Sequence, residues 1–100
     1  MMSLTPIEVE GRQVLAIEVK LPKTNLLVVT TAKGYIMCGA LDVQLLNDKV
    51  ADRGIIAGRA VGVRNIEQLL EAPLESVTLA AEKLGIKAGM KGKDAILKML

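Results

Sequence analysis

The sequence has no histidine, tryptophan or phenylalanine, and it has one cysteine and one tyrosine. Without histidine, the most common general base of nucleophilic catalysis is missing, and zinc lacks its usual ligand sets. A single cysteine cannot form an internal disulfide. One aromatic ring gives no series of stacking platforms for single-stranded nucleic acid. We therefore expect no metal, no cofactor, no disulfide framework and no nucleic-acid partner.

The sequence also has no long apolar run and no large excess of charges of one sign. The 13 basic and 11 acidic residues leave a net charge of +2, and the two signs are interspersed along the chain. No basic patch for nucleic acid is indicated. The first six residues do not resemble a signal peptide, and the longest apolar run outside helical patterns, 26–29, is far shorter than the about 20 residues that span a bilayer. We expect a soluble, cytoplasmic protein without a membrane partner.

Aliphatic residues are abundant. Hydrophobic residues make up 51% of the 100 positions although only one is aromatic, so the core must consist of Val, Ile, Leu, Ala and Met. A chain of this length forms one domain, which we place over residues 1–100. Because a small domain has a large surface to cover, part of this apolar surplus is expected in a subunit interface. Self-association is therefore predicted.

The first 38 residues read as four strands joined by short turns. Apolar and polar residues alternate on both sides of Gly11, which predicts a hairpin with Gly11 at the first position of a type II′ turn. A second turn over 22–25 leads to the run 26–31, which is apolar on both faces and indicates a strand covered on both sides. A further turn leads to a strand over 35–38. The short connections predict an antiparallel four-strand meander.

After residue 40 the apolar spacing becomes helical. The pattern predicts helices over 41–53, 66–71, 74–84 and 93–100, and a strand over 55–61 that is free to pair in parallel. Asn65 can cap the second helix, and Gly85 followed by Ile86 is typical of a Schellman motif. The expected fold is α+β, with a mixed, mainly antiparallel sheet of about five strands and three or four helices packed on it.

Cys38 lies where the fourth strand changes into the first helical pattern. There, unpaired backbone N–H groups favour a thiolate, and a turn at Gly39 and Ala40 would aim the sulfur at donors able to stabilise an oxyanion. Asp42 falls in the first helical turn, where the helix dipole favours a carboxylate. Cysteine is also among the most buried residue types, so an inert core thiol is the alternative.

Arg59 is the second candidate, because a charge inside an apolar strand needs a specific partner. Arg64 is interpreted as solvated or salt-bridged, and the glycines of 58–65 match no phosphate-binding fingerprint. A guanidinium next to a strand-to-helix turn suits an anion. We therefore predict a small anionic metabolite bound by Gly39, Ala40, Asp42 and Arg59, with Cys38 as the candidate catalytic residue. The alternative is a non-catalytic structural or regulatory subunit that acts through homo-oligomerisation.

Four segments, in order along the chain, resemble the YunC-like family of small prokaryotic proteins, a domain of unknown function. These segments are LPKTN at 21–25, GYIMCGALD at 34–42, AGRAVGVR at 57–64 and APLESVT at 72–78. The resemblance covers essentially the whole chain and implies a compact single domain containing helices and strands. It implies no activity and transfers no catalytic residue.

Overall fold

A six-stranded sheet forms the centre of the protein, and its strands lie in sequence order. The computed structural model describes residues 2–39 and 53–100. The strands are β1 Met2–Val9, β2 Arg12–Leu21, β3 Thr24–Thr30, β4 Gly34–Met37, β5 Ile56–Arg59 and β6 Ser76–Val77. The helices in the described residues are α1 Ile66–Glu71, α2 Leu79–Lys83 and α3 Gly92–Lys98. The predicted α+β class is confirmed, with six strands instead of about five; the helix predicted over 41–53 lies outside the described residues.

The antiparallel meander from β1 to β4 is confirmed, and its tight turns explain the register. The first turn is Glu10–Gly11, and both residues have positive φ, 52° and 77°. Positive φ at both central positions defines a type I′ turn, so the predicted type II′ turn was wrong and Gly11 takes the second position. The second turn is Pro22–Lys23, where Lys23 adopts a φ of 64°. Proline followed by a left-handed residue is the backbone of a type II turn.

Strand β5 pairs with β4 in parallel, in the register that joins Gly34 to Ile56 and Met37 to Arg59. The two backbones approach closely at Gly34, where an added Cβ would overlap the carbonyl oxygen of Ile56. Strand β6 then pairs antiparallel with β5 and ends the sheet. Because β4 and β5 run parallel, their carboxyl ends lie side by side at the same end of the sheet.

The segment before α2 departs from the prediction, because the helix expected from residue 74 begins only at Leu79. Thr78 is 2% exposed, and its hydroxyl donates to the carbonyl oxygen of Ile55 at 2.6 Å. The hydroxyl oxygen of Thr78 also accepts from the backbone N–H groups of Ala57 at 3.1 Å and Ala81 at 3.3 Å. Thr78 thus ties β5 to the start of α2, and this non-local pairing overrides the helical pattern of residues 74–77.

The predicted start of α1 and the predicted end of α2 agree with the structure, unlike the predicted start of α2. The side chain of Asn65 accepts from the backbone N–H of Gln68 at 2.8 Å and caps α1. Gly85 has a φ of 85°, and the N–H of Ile86 reaches the carbonyl of Ala81 at 3.1 Å. This is the Schellman arrangement, and it buries Ile86 completely. Local sequence signals therefore correctly predicted the start of α1 and the end of α2.

The hydrophobic core lies on one face of the sheet, which we call the core face. Helices α1 and α3 pack there, and Leu69 and Ile96 are fully buried among side chains of β3 and β4. The buried hydrophobic side chains on the core face of β2 to β4 are Val14, Ala16, Leu27, Val29 and Ile36. The opposite face, the outer face, carries Leu15, Ile17, Val19, Leu26 and Val28, which are all partly exposed. The sheet is therefore apolar on both sides in β2 and β3.

Candidate functional site

Cys38 follows β4 directly and points to the core face. Its side chain is part of the main hydrophobic cluster and the residue is 7% exposed. The thiol donates a long hydrogen bond to the carbonyl oxygen of Asn25, at 3.8 Å from Sγ, and the backbone N–H of Cys38 donates to Leu27 at 3.0 Å. In this geometry the sulfur is a buried donor in the core, and the surrounding backbone presents it with an acceptor.

Arg59 points to the other side of the sheet. The parallel register pairs it with Met37, so these two residues share the outer face. Since neighbouring residues of a strand point to opposite faces, Cys38 lies on the side away from Arg59. The structure therefore brings Arg59 to the end of β4 but keeps the sulfur and the guanidinium on opposite faces.

The guanidinium of Arg59 joins three chain segments. Its Nε and Nη2 donate to the carbonyl oxygen of Gly39 at 3.2 and 3.1 Å, and Nη1 pairs with Oε1 of Glu75 at 3.1 Å. The hydroxyl of Ser76 also donates to that oxygen, at 2.6 Å. Hydrogen bonds from Ser76 and then from Arg59 hold the pKa of the Glu75 carboxyl below its ordinary value. Arg59 therefore has the specific partner that its position requires, and we call Arg59, Gly39 and Glu75 together the clamp. The other predicted ligand-binding residues, Ala40 and Asp42, lie outside the described residues.

A cleft of about 570 Å³ opens beside the β2–β3 turn. Its lining residues come from the β2–β3 turn and from the loop that leads into α1: Leu21, Lys23, Thr24, Asn25, Val63 and Arg64. Asn25 is also the acceptor of the Cys38 thiol, which places the cleft beside the carboxyl ends of β4 and β5.

The cleft is positively charged. Lys23 and Arg64 line it, and no aspartate or glutamate does. Within the described parts of the chain neither cation has an ion-pair partner, in contrast to Arg59, which is paired with Glu75. Both residues are exposed, and the main chain is fixed at each: Lys23 lies in the turn after Pro22, and the N–H of Arg64 donates to the side chain of Gln68 at 2.7 Å. Two cations with a nearby hydroxyl and amide suit an anionic group.

Neither Lys23 nor Arg64 was among the predicted site residues. Sequence reasoning treated Lys23 as a turn residue and Arg64 as solvated or salt-bridged, because nothing local brings the two together. The available signal was indirect: both lie in segments that carry the family resemblance, 21–25 and 57–64. Conversely, the predicted residues Gly39 and Arg59 do meet, through the carbonyl of Gly39.

Residues 2–39 and 53–100 contain no group of three or more His, Cys, Asp or Glu side chains that could hold a metal ion. None of the helices in these ranges is long and apolar enough to cross a membrane.

Comparison with known proteins connects this fold to a family. The chain is 66% identical over 100 residues to the uncharacterized protein YunC of Bacillus subtilis, covering 100% of this chain and 99% of that protein. It is also similar to the crystal structure of TA1206, a protein of unknown function from Thermoplasma acidophilum, with a TM-score of 0.88 and 31% identity over 100% of this chain and 94% of the other. Residues 37–99 match the family model of the domain of unknown function DUF1805. The chain therefore belongs to the DUF1805 family.

Proposed function

We propose that the protein is a cytosolic binder of a small anionic metabolite, held in the cleft between the β2–β3 turn and the loop before α1. The observation that carries this proposal is the pair Lys23 and Arg64, which line one cleft without a carboxylate in its wall. Arginine offers a planar fork to a phosphate or carboxylate, and lysine adds a compact point charge. The volume of about 570 Å³ is within the range of small-molecule sites.

In this proposal Arg59 is a positioning residue. By holding the carbonyl of Gly39 and the carboxylate of Glu75, it fixes the end of β4 beside the cleft. The thiol of Cys38 stabilises the wall of the cleft, because it donates to the carbonyl oxygen of the lining residue Asn25. A phosphate monoester is the ligand class we favour, because its oxygens can accept from a guanidinium and an ammonium together.

A thermal-shift screen tests the proposal. The panel contains inorganic phosphate, phosphate monoesters and small dicarboxylates, each at the same ionic strength set with sodium chloride. A ligand present at ten times its Kd adds about 1.4 kcal/mol to the free energy of unfolding. For a domain of this size that raises Tm by about 6–11 °C.

Charge-removing variants locate the site. Arg64→Gln and Lys23→Gln each remove a charge-assisted contact worth about 1.5–3 kcal/mol, so each should weaken the Kd of a hit by about 10- to 100-fold. Lys87→Gln is the matched control, because Lys87 is exposed and does not line the cleft. A hit that both cleft variants bind as tightly as the control does would contradict this location.

The alternative function, a non-catalytic subunit that acts through homo-oligomerisation, is favoured by a different observation. Met2 and Leu4 of β1 are 63% and 56% exposed. Apolar side chains this exposed on one strand are typical of a contact surface. If the full panel produces no specific stabilisation, this alternative becomes the better description of the protein.

A further inference from the structure

A groove of about 630 Å³ lies at the end of β2 opposite the cleft of Lys23 and Arg64, which we call the charged cleft. The groove, which we call the amphipathic groove, is lined by residues from the start of β2, from the β3–β4 turn and from the segment after α3. Strand β2 begins at Arg12, which lines the amphipathic groove, and ends at Leu21, which lines the charged cleft. The length of this strand separates the two sites by about 30 Å.

The amphipathic groove occupies a gap in the sheet. The pairing of β2 with β3 stops at Leu15 and Thr30, so residues 12–14 have β1 on one side and no neighbouring strand on the other. The chain leaves the sheet after Thr30 and turns back into β4. The space that a longer β3 would fill is therefore open to a ligand.

The wall that faces this gap is fixed by Thr31. Its hydroxyl oxygen accepts from the backbone N–H groups of Lys33 and Gly34, both at 3.1 Å, and its hydroxyl donates to the carbonyl oxygen of Met99 at 3.0 Å. These bonds tie the β3–β4 turn to the end of α3. The groove is thus bounded by held chain segments on both sides.

The lining of the amphipathic groove is largely apolar. Val14 and Met99 belong to the main hydrophobic cluster, and Leu100 packs against it. Pro6 and Leu15, which lie opposite each other in β1 and β2, extend this lining. An aliphatic chain placed along these residues would leave water and cover apolar protein surface, and both changes favour binding.

Two cations accompany the apolar lining, one from each side of the gap. Arg12 comes from the β1–β2 hairpin and Lys33 from the β3–β4 turn, and both are exposed. No aspartate or glutamate is among the lining residues. Neither cation forms an ion pair with another residue of the ranges that the structure describes. The groove therefore complements a molecule that has an apolar body and an anionic group.

We propose that the amphipathic groove binds a small aliphatic carboxylate, whose carboxylate group pairs with Arg12 and Lys33 and whose chain lies on the apolar lining. An inorganic anion would leave that lining in water, and an uncharged chain would leave both cations without a partner. A molecule with both parts satisfies the whole groove. The volume of about 630 Å³ is within the range of small-molecule sites.

An amide NMR titration with sodium octanoate, kept below its micelle-forming concentration and at constant ionic strength, tests the proposal. The amide signals of Gln13, Thr31, Lys33 and Leu100 should shift together and saturate. Acetate has the charge without the chain, and octanamide has the chain without the charge. Each should bind at least about 10-fold more weakly than octanoate, since two buried methylene groups already contribute that factor and a hydrogen bond to a charged group contributes a similar one.

Charge-removing variants locate the site. Because both cations are exposed, Arg12→Gln and Lys33→Gln should each weaken the Kd of octanoate about 3-fold, and the double variant about 10-fold. Lys83→Gln is the matched control, since Lys83 is exposed and does not line the groove. Circular dichroism of each variant shows that it remains folded.

Three results would overturn the proposal. These are octanoate shifts that do not saturate, acetate or octanamide binding as tight as that of octanoate, and a folded double variant that keeps the wild-type Kd. The amphipathic groove and the charged cleft share no lining residue. The octanoate titration and the anion screen can therefore fail independently.

Discussion

Replacing Gly92 with alanine should destabilise the protein, although alanine is the better helix former. Gly92 is the first residue of α3 and is buried, and its N–H donates to the carbonyl of Ala72 at 3.1 Å. An added Cβ would overlap the backbone carbonyl oxygen of Leu69 and lie 2.8 Å from Cδ1 of Ile36. The first of these neighbours is backbone and cannot rotate away. The glycine therefore sets the distance between α1 and α3.

Two effects of opposite sign compete at this position. Helix propensity favours alanine over glycine by at most about 1 kcal/mol, the value for the interior of a helix. Overpacking a core contact costs about 1–3 kcal/mol, and a backbone neighbour places Gly92→Ala at the upper end of that range. The expected net loss is about 2 kcal/mol, or a fall in Tm of about 8–16 °C.

Urea unfolding followed by circular dichroism measures this loss. Gly39→Ala is the control, because its added Cβ would have no neighbour nearer than 3.7 Å. The control should keep the wild-type stability to within about 0.5 kcal/mol. A Gly92→Ala protein as stable as the wild type, or more stable, would show that the close approach of α1 and α3 is not as described.

Two further predictions concern the surroundings of the clamp. Ser76 and Arg59 lower the pKa of Glu75, so on acidification the unfolded chain binds a proton at Glu75 before the folded chain does. The free energy of unfolding should therefore fall as the pH drops below the ordinary glutamate pKa of 4.5. Urea unfolding midpoints of Glu75→Gln should fall less steeply over the same pH range. An unchanged acid profile in that variant would contradict the clamp. Cys38, at 7% exposure, should react with iodoacetamide far faster in urea than in the native state. Rapid native labelling below pH of about 8.5 would instead support the reactive-cysteine hypothesis.

Features set by neighbouring residues were predictable from the sequence. Alternation and short loops predicted the meander, and Asn65 and Gly85 marked real helix ends. The predicted start of the helix at 74 was wrong because Thr78 bonds to β5, a partner distant in the chain. Local patterns carry no information about such a partner, so a long-range hydrogen bond can move a helix boundary by several residues.

The candidate site was harder to predict, because it depends on strand register. Cys38 was predicted at the end of a strand and Arg59 inside one. In the structure Cys38 follows β4 and Arg59 ends β5, and the register with Met37 places them on opposite faces. A shift of one residue would have placed them together. Lys23 and Arg64 line the same cleft only because the folded sheet brings the β2–β3 turn and the loop before α1 close together. Charge alone could not distinguish these two cations from solvated ones.

An amide NMR titration with inorganic phosphate at constant ionic strength tests the central claim most directly. If the charged cleft binds anions, the amide signals of Lys23, Thr24, Asn25 and Arg64 should shift together and saturate. The same titration of Arg64→Gln should lose saturation in the accessible range. Shifts that grow linearly without saturation, or that saturate at residues away from the cleft, would contradict the proposal.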